Sequence, residues 1–131
     1  MYMLNTGICI HVLKRRPAPL LVKFKEVSNL CISSITYAEL CFGIESGLAN
    51  LKSERWEQLA VFTQLLRIRA LGQEVGRHYG YLRSRVRGQG LFISHNELMI
   101  AAHARSLGAV LVTNNLRDFN RLPDLSVENW L

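Results

Sequence analysis

Residues 94–119, SHNELMIAAHARSLGAVLVTNNLRDF, decide the fold of this 131-residue chain. Ser94–Leu107 has the spacing of a helix, opens with Ser94 and Glu97 in the S/T-x-x-E pattern of a capping box, and is stopped by Gly108. Ala109–Thr113 (AVLVT) follows as a run of apolar and β-branched residues, suited to a strand buried on both faces. NNLRDF then reads as a turn leading into a short helical piece. A helix feeding a doubly buried strand is the repeating unit of a parallel α/β sheet.

The same alternation extends outward. Tyr2–Leu4 is a short first strand, and Thr6 is placed to cap a helix over Ile8–Leu13. Pro17 starts a second short helix that runs to about Glu26. Leu30–Ser33 (LCIS) is the second strand, followed by a helix from Thr36 to about Ser46 with Tyr37, Leu40, Cys41 and Ile44 on one face. Ser53–Leu66 is amphipathic, RIRAL (67–71) is a short strand, and Gln73–Arg87 is a further helix. Ser126–Trp130 is a last edge strand. The expected fold class is α/β, a central parallel β-sheet flanked by α-helices, with residues 1–131 as one domain.

Composition narrows the function. Apolar residues make up 49% and charged residues 20%, as in a globular chain, and sixteen Lys+Arg against ten Asp+Glu give +6. That excess favours a polyanionic partner, nucleic acid first, against the plainer reading of a soluble basic surface. Cys9, Cys31 and Cys41 form no C-x-x-C pair and suit a reducing cytosol. The first apolar run has no basic region before it and meets Lys14-Arg15-Arg16 too soon to span a bilayer, so a cytoplasmic protein is expected. No glycine-rich phosphate loop, G-x-S-x-G elbow or H-E-x-x-H spacing is present.

In a parallel sheet the ligand lies beyond the carboxyl ends of the strands. The residues there are Asn5, the Ser33–Glu39 region and Asn114–Asp118, joined by the start of the Ser94 helix. Asn5, Glu39, Glu97, Asn115 and Asp118 are therefore candidate oxygen ligands for a hard cation, Mg²⁺ or Mn²⁺. A metal pair held this way activates water and stabilises a leaving oxygen in phosphodiester cleavage. The plainer alternatives are capping boxes at Thr36-x-x-Glu39 and Ser94-x-x-Glu97, a turn role for Asn115, and an exposed acid at Asp118 beside a core Phe119. Val75–Asn96 holds no acidic residue but carries Arg77, Arg83, Arg85 and Arg87 with Tyr79 and Tyr81. That composition suits RNA contacts, or equally a solvated helix whose tyrosines pack inward.

MLNTGICI, CISSITYAELCFGIESG, ISHNELMIAAHARSLGAVLVTNNLRDFNRLPDL and the terminal ENW together resemble the PIN-domain family, in particular the VapC toxins of bacterial toxin–antitoxin pairs. The resemblance covers nearly the whole chain and is most specific in its last forty residues. It implies a PIN-like fold and Mg²⁺- or Mn²⁺-dependent endoribonuclease action on RNA, often tRNA. It also implies a VapB-type antitoxin that reaches into the groove, with an arginine to pair with Glu39 and Glu97, and a homodimer to which the Trp56–Phe62 helix face could contribute.

Carried over position by position, the resemblance puts the family's first aspartate at Asn5 and its second acid at Glu39, which is intact. The third acid falls on Glu97, one methylene longer than the usual aspartate. The fourth region falls on Asn115 with Asp118 nearby, and Gly7 stands where the family usually has asparagine. Asn5 offers a carbonyl oxygen but no charge, and a displacement of about an ångström at Glu97 can cost roughly a hundredfold in rate. Weak metal binding and reduced activity are expected. Two alternatives stand beside this reading. One is a catalytically inactive PIN domain that binds antitoxin or RNA. The other is a phosphoacceptor receiver-like domain, weakened because no aspartate follows a strand where it could take a phosphoryl group.

Overall fold

The computed structural model describes residues 1–131. Five strands, β1 (Tyr2–Leu4), β2 (Leu30–Ser33), β3 (Arg67–Arg69), β4 (Val110–Val112) and β5 (Val127–Glu128), form one sheet in the order β3-β2-β1-β4-β5. Every neighbouring pair is parallel. Seven α-helices connect or follow them: α1 (Thr6–Arg15), α2 (Ala18–Glu26), α3 (Ser34–Glu45), α4 (Lys52–Thr63), α5 (Glu74–Val86), α6 (His95–Ser106) and α7 (Leu116–Phe119). The α/β class with a parallel, helix-flanked sheet is as the sequence predicts.

Strand alternation divides the core in two. Met3, Cys31 and Leu111 stand level with one another and pack into a cluster with Val75 and Leu82 of α5, Leu98 and Ile100 of α6, and Phe119 of α7. Leu4, Ile32 and Val112 point to the other face, against Ile8 and Val12 of α1, Phe24 of α2, Leu40 of α3 and Phe62 of α4. The central strands thus bury both faces, which is why they read as unbroken apolar runs. Leu59 and Phe62 lie in this second core, whereas Val61 and Leu65 on the same segment are exposed. Desolvation pushes the buried Cys31 thiol up to about 11, and Cys9 is raised further for the same reason. All three cysteines are free thiols.

The punctuation is chemical. Arg16, with φ 45°, ends α1 directly before Pro17, which caps α2. Gly108, with φ +65°, ends α6. Its N–H bonds the Arg105 carbonyl at 3.1 Å while Ala109 N–H bonds that of Ala104 at 2.9 Å, the paired bonds of a Schellman motif.

Several boundaries differ from expectation. Asn5, not Thr6, caps α1, its Oδ1 accepting from Thr6 N–H at 2.9 Å. α3 begins at Ser34 because the Ser33 side chain takes the cap, accepting from Ile35 N–H at 3.2 Å, so Thr36 caps nothing and its predicted capping box does not form. β3 covers only Arg67–Arg69 of the RIRAL segment, and the final strand only Val127–Glu128. No helix is long and apolar enough to cross a membrane.

Candidate active site at the strand ends

The strand order reverses between β1 and β4, since β2 and β3 lie on one side of β1 and β4 and β5 on the other. A crevice at the carboxyl ends of the two central strands is the expected ligand position in such a sheet. Asn5 leaves β1 there and Thr113 leaves β4, and both are buried. Asn5 Nδ2 donates to Thr113 Oγ1 at 3.2 Å. The same Thr113 oxygen accepts from Asn115 N–H at 3.1 Å.

Asn115 caps α7: its Oδ1 accepts from Asp118 N–H at 3.4 Å and its Nδ2 donates to Asp118 Oδ2 at 3.3 Å. Asp118 is only 7% exposed, so it is not the exposed acid of the plainer reading. Asn5, Thr113, Asn115 and Asp118 therefore form one hydrogen-bonded string. Gly7 lies near it, since a Cβ there would be 3.6 Å from Oδ1 of Asn114, the residue between Thr113 and Asn115, an ordinary contact.

Glu39 is held by a second string. Thr6 Oγ1 lies 2.7 Å from Glu39 Oε1 and 3.1 Å from Thr36 Oγ1. A carboxylate only accepts, so the Thr6 proton goes to Glu39 and the buried Thr36 hydroxyl supplies the other bond. Glu39 is half-buried and lines a groove of about 230 Å³ between α1, α3 and α4, alongside Ile10, Leu13, Leu40 and Ile44. Thr6 is also the residue whose N–H Asn5 accepts, so adjacent residues anchor the two strings.

Glu97 is occupied differently. The Ser94 capping box is fully formed: Ser94 Oγ accepts from Glu97 N–H at 3.1 Å, and Glu97 Oε1 accepts from Ser94 N–H at 3.3 Å. No group of three His, Cys, Asp or Glu side chains stands close enough together to hold a metal ion. The donor chemistry nevertheless suits a hard cation. Glu39, Asp118 and Asn5 offer only oxygen, and Mg²⁺ is commonly held by one or two carboxylates with water and substrate phosphate completing its shell. The donor types therefore match such an ion, and the structure forms no closed protein cage for it.

One neighbouring group was not singled out from the sequence. His103, buried in α6, places Nδ1 2.8 Å from Ser33 Oγ at the end of β2. Desolvation lowers its pKa from the ordinary 6.5, and the nearby Arg69 charge does likewise, while Glu74 and a backbone hydrogen bond at Ala70 act the other way. The hydroxyls at the element ends, Thr6, Ser33 and Thr113, were the available signal, because buried hydroxyls at strand termini need partners.

Arg77, Arg83, Arg85 and Arg87 are all exposed. They do not form one stripe: at about 100° per residue, Arg77 and Arg83 point roughly 120° apart around α5. Tyr81 packs against the core beneath the Arg85 and Arg105 guanidinium groups, 4.2 and 4.3 Å from its ring centre.

A parallel β3-β2-β1-β4-β5 sheet with buried polar side chains at its switch point defines an α/β domain of PIN-like architecture. The chain belongs to the PIN-domain family, whose model matches residues 2–125. It is 43% identical to Ribonuclease VapC2 of Haemophilus influenzae, over 99% of this chain and 98% of that one. It is 37% identical to the tRNA(fMet)-specific endonuclease VapC of Salmonella typhimurium, over 98% and 97% of the two chains. Among solved structures it is similar to VapBC2 from Rickettsia felis bound to a promoter DNA fragment, with TM-score 0.92 and 34% identity over 99% of this chain and 98% of that one.

Proposed function

We propose that this protein is the VapC-like toxin of a type II toxin–antitoxin pair: a metal-dependent endoribonuclease of the cytoplasm that acts on RNA, with tRNA the substrate class, and works as one PIN domain over residues 1–131. Full-length similarity to ribonucleases of this type supports the reading. The observation that carries it is Glu39, an intact carboxylate held by Thr6 at the edge of an open groove.

Glu39 and Asp118 would supply the anionic ligands of Mg²⁺ or Mn²⁺, with Asn5 and Asn115 as neutral oxygen donors. Glu97, the third expected acid, would have to leave its Ser94 cap to join them. The bound cation would supply an activated water and charge stabilisation at the leaving oxygen. The chain's own contribution is orientation. Thr6 fixes one Glu39 oxygen, at a side chain that lines the groove. Asn115 holds Asp118 Oδ2 and its N–H together. Asn5 is the weak point: Oδ1 caps α1, Nδ2 is spent on Thr113, and the side chain cannot take up a proton at neutral pH. Turnover is accordingly slow.

The partners proposed are a VapB-type antitoxin, RNA and a second copy of the chain. A relative's structure is a VapBC complex, and Glu39 is the carboxylate that an antitoxin arginine would pair with, in competition with Lys14 and Arg55, which line the same groove. Arg77, Arg83, Arg85 and Arg87 supply positive charge for RNA. A second reading, an inactive PIN domain retained for binding, is favoured by one observation, that Asn5 Oδ1 and Glu97 Oε1 are each engaged in a helix cap.

Incubating antitoxin-free protein with total tRNA in Mn²⁺, in Mg²⁺ and in a chelator tests the enzyme reading. Cleavage in metal alone, absent from Glu39→Gln, is the expected result. Metal-dependent cleavage that persists unchanged in Glu39→Gln would overturn the assignment of Glu39.

A further inference from the structure

Between α5 and α6 the chain runs Arg87-Gly88-Gln89-Gly90-Leu91-Phe92-Ile93, with Gly88 and Gly90 at φ +77° and +67°. Phe92 is 82% exposed, more than any other large hydrophobic side chain here. No other exposed large hydrophobic residue lies within its segment. Leu91 and Ile93 on either side are half-buried, Ile93 packs on the core, and the exposed side chains nearby in the sequence, Arg87, Gln89, Ser94 and His95, are polar. A lone ring open to water within a segment free of acidic residues is unlike a helix-docking surface. It does match the stacking platforms of proteins that hold single-stranded nucleic acid.

Three residues further on, a directed hydrogen-bond chain meets His95. Arg83 Nη1 lies 3.2 Å from Tyr79 Oη, which lies 3.1 Å from His95 Nδ1. A guanidinium can only donate, so Tyr79 accepts there and its own proton is assigned to His95 Nδ1. That tautomer leaves the Nε2–H of His95 as a fixed donor at the first turn of α6, two residues before Glu97.

We propose that Phe92 and His95, with Tyr79 and Arg83 as positioning residues, form a recognition site for an unpaired RNA nucleotide where the α5–α6 connection enters α6: the base stacks on Phe92 and the His95 Nε2–H donates to its phosphate. The inference rests on the ribonuclease reading and deepens it, by making a single-stranded segment the substrate element.

The test measures binding without cleavage. In a Glu39→Gln background and with chelator present, fluorescence anisotropy follows a labelled 12-nucleotide single-stranded RNA and, separately, an RNA duplex of the same strand. Phe92→Ala weakens single-strand binding roughly tenfold, within the range for loss of one base–aromatic stack, and leaves duplex binding unchanged. Phe92→Trp restores it. His95→Ala and Tyr79→Phe each weaken it several-fold, and His95→Gln, whose amide can present a similar donor, recovers part of the loss. Gel filtration shows the same oligomeric state throughout.

Equal effects on single strand and duplex, or no effect on either, would overturn the proposal. So would a change of oligomeric state in Phe92→Ala, which would make the ring a subunit contact. Phe92-dependent binding by a protein that never cleaves RNA would leave this site standing and remove the enzymatic reading.

Discussion

Thr6 Oγ1 donates to Glu39 Oε1 at 2.7 Å, joining the first turn of α1 to the second turn of α3 across 33 positions of sequence. The bond couples the residue that Asn5 caps to the carboxylate on which the proposed chemistry depends. Because Thr36 also bonds the Thr6 hydroxyl, one side chain of α1 is tied to two of α3.

Thr6→Val removes this anchor while keeping the side chain's shape. Loss of a partly buried hydrogen bond that also leaves Thr36 short of a partner costs about 1–2 kcal/mol, read as a lower midpoint in urea unfolding with unchanged slope. Cleavage falls further than the folded fraction does, because Glu39 then samples several rotamers. Equal parent and variant rates per folded molecule would show that the bond is structural only.

Asp118 and Phe119 adjoin but answer differently. Phe119 is fully buried in the core around α5 and α6, so Phe119→Ala costs about 3–5 kcal/mol and lowers activity by unfolding the protein. Asp118→Asn keeps the volume and an oxygen acceptor, and its thermal midpoint stays within a few degrees of the parent. Metal-dependent cleavage nonetheless drops at least tenfold. Retained cleavage in Asp118→Asn would assign Asp118 to the α7 turn alone.

His103 sets a pH dependence of stability. Its folded pKa is below 6.5, so below that pH the unfolded chain binds a proton that the folded chain refuses. Stability from this group is complete above about pH 6.5 and is lost as pH falls toward the lowered folded value. Urea unfolding from pH 7.5 to 5 shows the decline, and His103→Gln, which keeps a polar group near Ser33, flattens it. An unchanged slope in the variant would place the titration elsewhere.

Much of this was legible in the sequence, and the misses share one cause. The α6–Gly108–β4 unit was readable because capping box, apolar period and stop signal all agree locally. The Ser94–Glu97 box formed as its spacing predicts, and that limits Glu97 as a ligand. The Thr36–Glu39 box had the same spacing but did not form. Ser33 and Thr36 both can cap, and the choice was made by where β2 ends and by His103, seventy positions away, bonding Ser33. Thr6 likewise lost the cap to Asn5 and gained Glu39, a partner no local pattern announces. The four arginines of the acid-free segment were visible as composition, but their spread around α5 follows from the helix itself.

The central claim is that Glu39 drives a metal-dependent ribonuclease held back by the amide at Asn5. The most direct test is the rate of total-tRNA cleavage across a Mn²⁺ titration for the parent, Asn5→Asp and Asn5→Asp/Glu39→Gln. The account predicts slow metal-dependent cleavage by the parent, an apparent Mn²⁺ affinity raised roughly tenfold or more in Asn5→Asp (about 1.4 kcal/mol), and silence in the double variant. A parent and an Asn5→Asp variant with the same rate and the same Mn²⁺ dependence would contradict it.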